Sequence, residues 1–488
     1  MTFKPQILSL SSVTATTKGG DRHPAQSGPG TPWRALTVCS VLALLAGHAA
    51  AQDVAGAGME ANVELLEHPP QNLPGHEEGA RTREPQAAAE AATEAAEREW
   101  FKGLPVWKWS RVTGDWGGGR TFLEDKGLEI NASYIWDWSS VWSGGLNEKA
   151  SDRSMWDVSA NFDLEKMVGL KGATVFLDAY FTESSGGSED VGDYQGISNI
   201  DSYGDRSQLA EAWYEQKLFD DVVRLKVGKM DANGEFAFLN CAGDFLHASP
   251  GFSPTIGFMP AYPEPAMGVV GFVYPTERWY IGTGWFDGSL QDGVSTGKRG
   301  PDQFFNNDLS SDWYFLAESG LSWEKVGSSL GGGRVAAGLH YATGRLEAFD
   351  TSEEHGSLGF YALAEQQLWR RGDSEELKDK GIWAFAQAGF GDEDVNPAKT
   401  HLAAGFVFNG ICEARMDDTT GVYVSWVDFS SATGSPITGS ETAIETYYKV
   451  QITPAISLTP DLQYIIDPSG DAGIDNAWVG QLRLVINF

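Results

Sequence analysis

The chain has 488 residues and a formal net charge of -32, with 67 Asp and Glu against 35 Lys and Arg. That balance argues against a nucleic-acid partner, since phosphate backbones need basic patches, and its plainest consequence is solubility and self-repulsion. No stretch approaches the about 18 consecutive apolar residues of a spanning helix, but 42% hydrophobic and 12% aromatic residues leave open a barrel in which only alternate residues meet lipid.

At the amino terminus Arg34 precedes an apolar run, Ala35 to Ala46, and then Gly47-His48-Ala49-Ala50-Ala51. A charged region, a short apolar region and an Ala-x-Ala site predict an export leader over 1–51, cleaved after Ala51. Cys39 lies in it. Cys241 and Cys412 remain, too few for a disulfide framework, and are expected as free thiols.

Residues 52–105 differ in composition from the rest of the chain. Gln52 to Arg83, rich in Pro, Gly, Glu and Ala, reads as linker. Glu84 to Trp100 favours helix and is expected as a solvated helical spacer, a short coiled coil being the alternative. From Gly127 the text changes to alternating runs. The first sets Leu128, Ile130, Ala132, Tyr134, Trp136 and Trp138 against Glu129, Asn131, Ser133, Ile135 and Asp137. A strand alternates faces with period two.

There are about sixteen such segments, over 127–143, 154–165, 172–183, 208–217, 222–230, 266–274, 277–286, 311–323, 332–342, 357–367, 380–390, 399–410, 420–429, 443–451, 456–466 and 476–488. Most have the length of tilted membrane strands. In the last, Trp478, Leu482, Leu484, Ile486 and Phe488 share one face, and Gln481, Arg483 and Asn487 the other. An apolar face opposite a polar one suits a wall between lipid and water. An edge strand of a soluble sandwich is the alternative for that segment alone. The aromatic carboxyl terminus looks like the signal read by barrel-assembly machinery. With that end in the periplasm, the long connections 184–207, 231–265 and 287–310 fall outside, with 144–153, 343–356, 391–398, 430–442 and 467–475. The inner connections are mostly shorter, 368–379 excepted. The expected fold class is all-β: a transmembrane antiparallel up-and-down β-barrel over 106–488, with a short helical and linker extension before it.

Three strings resemble the carbohydrate-selective porin family, the OprB type. One is Thr113-Gly114-Asp115-Trp116-Gly117-Gly118-Gly119-Arg120, with Leu123 and Gly127. Another runs from Val227-Gly228-Lys229 through Glu235-Phe236-Ala237 to Pro260-Ala261-Tyr262-Pro263 and Gly268. The third runs from Glu445-Thr446-Tyr447-Tyr448 through Pro454 to Pro460-Asp461-Leu462-Gln463-Tyr464-Ile465 and Pro468. The resemblance spans about Val106 to Phe488. It implies a sixteen-stranded outer-membrane porin passing sugars by diffusion, and it favours a monomer. Implied partners are carbohydrate solutes, outer-membrane lipid and lipopolysaccharide, and the assembly machinery during biogenesis.

A sugar-selective pore needs a narrow point with donors, acceptors and flat aromatic surfaces, binding weakly enough for release. It needs no covalent chemistry, cofactor or metal. The expected constriction is the connection Asp231 to Pro265, folded inward. Strand parity gives the lumen-facing candidates Asp178, Glu211, Trp213, Arg224, Lys226, His340, Glu445, Tyr447, Lys449, Asp461, Gln463 and Arg483. Trp213 carries an ambiguity, because one error of strand phase turns it toward lipid. For any one of these residues the plain reading is a solvated lumen position or a satisfied wall ion pair.

Enzymatic readings fare poorly. No Ser/His pair falls on one side of the wall, and His247, His340, His355 and His401 lack metal-ligand spacing. Gly331-Gly332-Gly333-Arg334 sits between strands with no helix after it, so a tight turn is expected rather than a phosphate loop. Asp392-Glu393-Asp394 and Asp417-Asp418 are calcium candidates, though turn acids need no such role. The main alternatives to a sugar-selective channel are a general size-selective porin and a structural barrel tethered through its amino-terminal helix. A secreted soluble sugar-binding β-protein is a weaker one.

Overall fold

The computed structural model describes residues 105–300, 312–326 and 330–488. The expected leader and the helix-favouring segment 84–100 lie outside the described residues. The strands are β1 (Leu128–Gly145), β2 (Ala150–Asp163), β3 (Ala173–Ser184), β4 (Arg206–Leu218), β5 (Val223–Met230), β6 (Ala266–Thr276), β7 (Trp279–Asp287), β8 (Trp313–Trp323), β9 (Gly333–Glu347), β10 (Glu353–Arg370), β11 (Gly381–Phe390), β12 (Ala398–Asn409), β13 (Thr419–Phe429), β14 (Ser440–Thr453), β15 (Ile456–Ile466) and β16 (Asp475–Asn487). Each pairs with its neighbours in sequence, and β1 pairs antiparallel with β16, so the sheet closes. Closure satisfies every ladder and leaves no edge, the condition for crossing a bilayer with strands. No helix among the described residues is long and apolar enough to cross a membrane.

The sequence period sorts the two faces. Trp138, Trp156, Phe181, Leu225, Val227, Ile444 and Trp478 are exposed on the outside, while Asp137, Asp157, Asp178, Lys226, Glu445 and Arg483 are buried inside. In β4 an extra residue at Ala210, where Asp178 pairs with Glu211 and Ala179 with Leu209, places Ala210 and Glu211 consecutively on the inner side.

The connections depart from the expectation in one respect. β1 and β2 extend until only 146–149 join them, and β9 and β10 until only 348–352 do. Gly144 and Gly145 at φ 71° and 66°, and Gly356 at φ 81°, carry the bulges that allow this. Length on the outer side therefore concentrates in 185–205, 231–265 and 288–312. The other outer connections are no longer than the longest inner one, 371–380.

Both the interior of the barrel and its rim are occupied. The segment 231–265 folds inward and builds an apolar core against the wall: Phe236 and Phe245 from the loop, and Phe286 and Tyr314 from the strands, are all essentially inaccessible. Each such ring contributes roughly 2–3 kcal/mol by burial. At the rim where the chain ends, residues 105–127 tuck against the start of β1. Val112 N–H donates to Asn487 O at 2.8 Å, Arg120 donates to Ile130 O at 3.0 Å, and Arg111 donates to the inward-facing Asn131 at 2.7 Å. Gly127, at φ +89°, lies so close to Asp163 O that a Cβ would sit 2.7 Å from it, which requires glycine there.

Candidate functional site: the loop-lined lumen

A carboxylate turned into a barrel filled by loops is costly unless it accepts strong hydrogen bonds. Here several wall carboxylates find them in loop amides. Glu318 on β8 accepts from Ala237 N–H at 2.8 Å. Glu365 on β10 accepts from Cys241 N–H at 2.7 Å and from the Asn240 amide at 2.8 Å, one on each oxygen. Glu445 on β14 accepts from Leu246 N–H at 2.6 Å. A cation joins them: Arg334 on β9 donates to Phe238 O at 2.9 Å and lies 4.4 Å over the Phe238 ring.

The loop 185–205 was not expected inside, yet it is held in the same way. Glu441 on β14 accepts from Tyr194 and Gln195 N–H at 2.8 and 3.1 Å. The third long connection enters too, since Lys229 Nζ donates to Gly297 O and Arg299 O at 2.6 and 2.9 Å. No local pattern marks these loops in the sequence, because their anchors are wall residues far away in the chain.

The twelve sequence-predicted lumen residues all face inward, but their surroundings differ. Asp178, Lys226, His340, Glu445, Tyr447, Asp461, Gln463 and Arg483 are buried and so do not border open space. Lys226 and Arg224 grip Glu235 of the loop, and both reach Glu215, Arg224 at 3.2 Å and Lys226 at 3.7 Å. Arg483 forms a two-pronged pair with Asp137 at 2.7 and 2.8 Å. Tyr447 packs edge-on against Phe245, with ring centroids 4.8 Å apart. Glu211, Trp213, Arg224 and Lys449 are half-buried, and Lys449 pairs with Asp244 at 2.7 Å.

Trp213 faces inward, which resolves its phase. Its Nε1 donates to Glu211 at 3.0 Å, its ring stacks on Phe176 at 4.9 Å and 24°, and the Lys226 ammonium lies 3.8 Å from its centre. Phe176 is missing from the twelve, although it shares the parity of Asp178 and stands opposite Trp213 in register. The result is a half-buried aromatic surface beside the Glu211 carboxylate and the Lys226 ammonium.

In the loops, charge is tuned by contact. Burial alone would raise the Glu235 carboxyl, but Arg224 and Lys226 outweigh it and hold it at about 2. Asp231, buried with no cation of its own, is raised to about 6 despite accepting from Tyr262 and Asn233 N–H. Burial, and then neighbouring His401, depress the His247 imidazole to about 3. Burial and the nearby Glu365 push the Cys241 thiol well up.

Cys241 and Cys412 are both free. The calcium candidates have other partners: Glu393 pairs with Lys399 at 2.8 Å, and both Asp418 oxygens accept from Arg415 at 2.8 Å. Among the described residues no group of three or more His, Cys, Asp or Glu is arranged to hold a metal ion.

Residues 147–488 match the model of the carbohydrate-selective porin, OprB family. The chain belongs to that family. The match begins after the Gly-rich string at 113–120, which lies outside it. This porin is similar to Porin B of Pseudomonas aeruginosa, 24% identical over 438 residues that cover 79% of this chain and 92% of that one. It is also similar to the putative porin QuiX of Acinetobacter baylyi, 25% identical over 417 residues, 77% of this chain and 93% of the other. Among solved structures, the high-pH structure of Pseudomonas putida OprB superposes with a TM-score of 0.68 at 22% identity, over 78% of this chain and 98% of that one. The barrel is thus a carbohydrate porin, with a fold shared across that distance.

Proposed function

We propose that sugars cross this porin by passive diffusion along a path that borders Phe176, Trp213, Glu211 and Arg224 on β3 to β5 and Lys449 on β14. The observation that carries this reading is the stacked Phe176 and Trp213 pair, half-buried beside the Glu211 carboxylate. A pyranose offers apolar C–H faces and a belt of hydroxyls. An aromatic surface takes the face, a carboxylate accepts from hydroxyls and a guanidinium donates to them. Each contact is weak, as a site that must release its solute requires. Of the residues named from sequence, Asp178, Lys226, Glu445, Tyr447 and Arg483 support this path from behind rather than touch the sugar.

Family membership and the barrel imply an outer-membrane setting. In our reading the chain reaches it by export through the 1–51 leader, is inserted by the assembly machinery, and sits as a monomer among lipid and lipopolysaccharide. It carries out no covalent step.

Liposome swelling with the chain from Gln52 tests the proposal. Glucose is expected to enter faster than an amino acid of similar size. Uptake ordered by size alone would replace selectivity with a general pore. A folded barrel that passes neither solute would favour the tethered structural reading.

A further inference from the structure

The barrel closes where β1 meets β16, and there Asp137 stands opposite Arg483 in register. Both are buried, at 0% and 3% exposure. Beyond its two parallel bonds, each member also holds the loop 185–205. Arg483 Nη2 donates to Asn199 Oδ1 at 2.7 Å, and Asp137 Oδ2 accepts from Ser198 Oγ at 2.7 Å. From β15 and β16, Gln463 and Gln481 donate to Ile197 O at 3.0 and 2.8 Å. The clamped residues in turn hold the constriction loop. Asn199 N–H donates to Leu246 O at 2.7 Å and Ala248 N–H donates to Gly196 O at 3.0 Å, while the Asn199 amide reaches Phe245 O at 3.0 Å. Leu246 is the residue whose amide Glu445 accepts.

We infer that Asp137 and Arg483 are positioning residues of the sugar constriction: through Asn199 they fix where residues 245–248 stand in the lumen, and so set its bore without touching solute. The inference rests on the porin reading. A guanidinium is suited to the task because its planar fork serves the carboxylate with one edge and still has a donor for Asn199, whereas an ammonium is a point charge on a flexible stem. The spare donors and lone pairs of a buried pair need partners, and here a loop rather than the wall supplies them.

Two variants separate positioning from stability. Arg483→Lys keeps the buried charge pair but loses the fork. Asn199→Ala leaves the pair whole and removes only the side-chain bonds to Arg483 and to Phe245 O, the backbone bond to Leu246 O remaining. Each is reconstituted as the full exported chain, checked for a folded barrel by heat-dependent gel migration, and measured for single-channel conductance and for the glucose-to-amino-acid uptake ratio. Both are expected to conduct more and to lose most of the ratio, with half-saturation by glucose rising and maximum flux undiminished. Folded variants with wild-type conductance and ratio, even if they melt earlier, would overturn the inference. Should Arg483→Lys fail to fold, Asn199→Ala decides alone. If the wild-type pore shows no glucose preference, the sugar reading fails, and conductance still tests whether Asn199 sets the bore.

Discussion

Trp213 shows what one side chain contributes. Its ring is fixed by Phe176, by Lys226 and by its own bond to Glu211, so it is held in place without having to be ordered by solute. Trp213→Ala is expected to remove about 1 kcal/mol of stacking, raising the half-saturating glucose concentration about fivefold; Trp213→Phe should lie between. Glucose titration of single-channel current reads this directly. Glu235 acts on structure instead. Glu235→Gln leaves the half-buried Arg224 and the buried Lys226 with one carboxylate, Glu215, between them, and should cost about 3 kcal/mol. Its depressed titration, about 2 against an ordinary 4.5, contributes stability that is complete above pH 4.5 and is lost as pH falls toward 2. His247 works over a higher window. In the unfolded chain it takes a proton near 6.5, but in the folded protein only near 3. Stability therefore falls as pH drops from 6.5 toward 3. This residue adds a decline in melting temperature below pH 6.5, and His247→Gln should make the measured decline shallower.

At the scale of elements, the inward loops are held by acceptors on strands. Glu365 uses one oxygen for Cys241 N–H and the other for Asn240. Gln at 365 offers one acceptor and turns an N–H₂ toward the remaining donor, so this bend should loosen. Glu365→Gln is expected to speed maleimide labelling of Cys241, whose thiol is also relieved of a neighbouring negative charge, while the exposed Cys412 labels as before and serves as internal reference. Equal Cys241 rates in the variant and wild type would show that Glu365 does not hold the bend. The strands were largely legible in the sequence, since alternation of Trp138 with Asp137, or of Leu225 with Lys226, needs only the lipid and the lumen to explain it. Parity placed all twelve lumen candidates on the inner side, Trp213 included. Which of them meet solute was not legible. That depends on which carboxylates are covered by 185–205 and 231–265, and amide-to-carboxylate contacts between residues some 80 to 250 apart in the chain leave no period to read. The expectation of an inward loop at 231–265 therefore gave only part of the filling, and Arg483, a lumen candidate whose plain reading was a satisfied wall ion pair, pairs with Asp137.

For the whole molecule, closure makes the barrel a unit complete from residue 105 onward among the described residues. A chain of 105–488 refolded into detergent is expected to match the 52–488 chain in conductance and glucose preference. Loss of either would assign the Ala- and Glu-rich segment a part in the channel. The even strand number has a separate consequence. The first strand starts on the rim where the last one finishes, and Val112 already donates to Asn487. A short linker can therefore join the two ends, and new ends can be opened at a tight turn such as 277–278 between β6 and β7. Such a circular permutant has the same ladder of sixteen pairings, so its conductance should be unchanged while the order in which strands leave the ribosome is not. The barrel's architecture is thus independent of where its chain is cut, and any dependence of assembly on the native cut would be a property of delivery to the membrane alone.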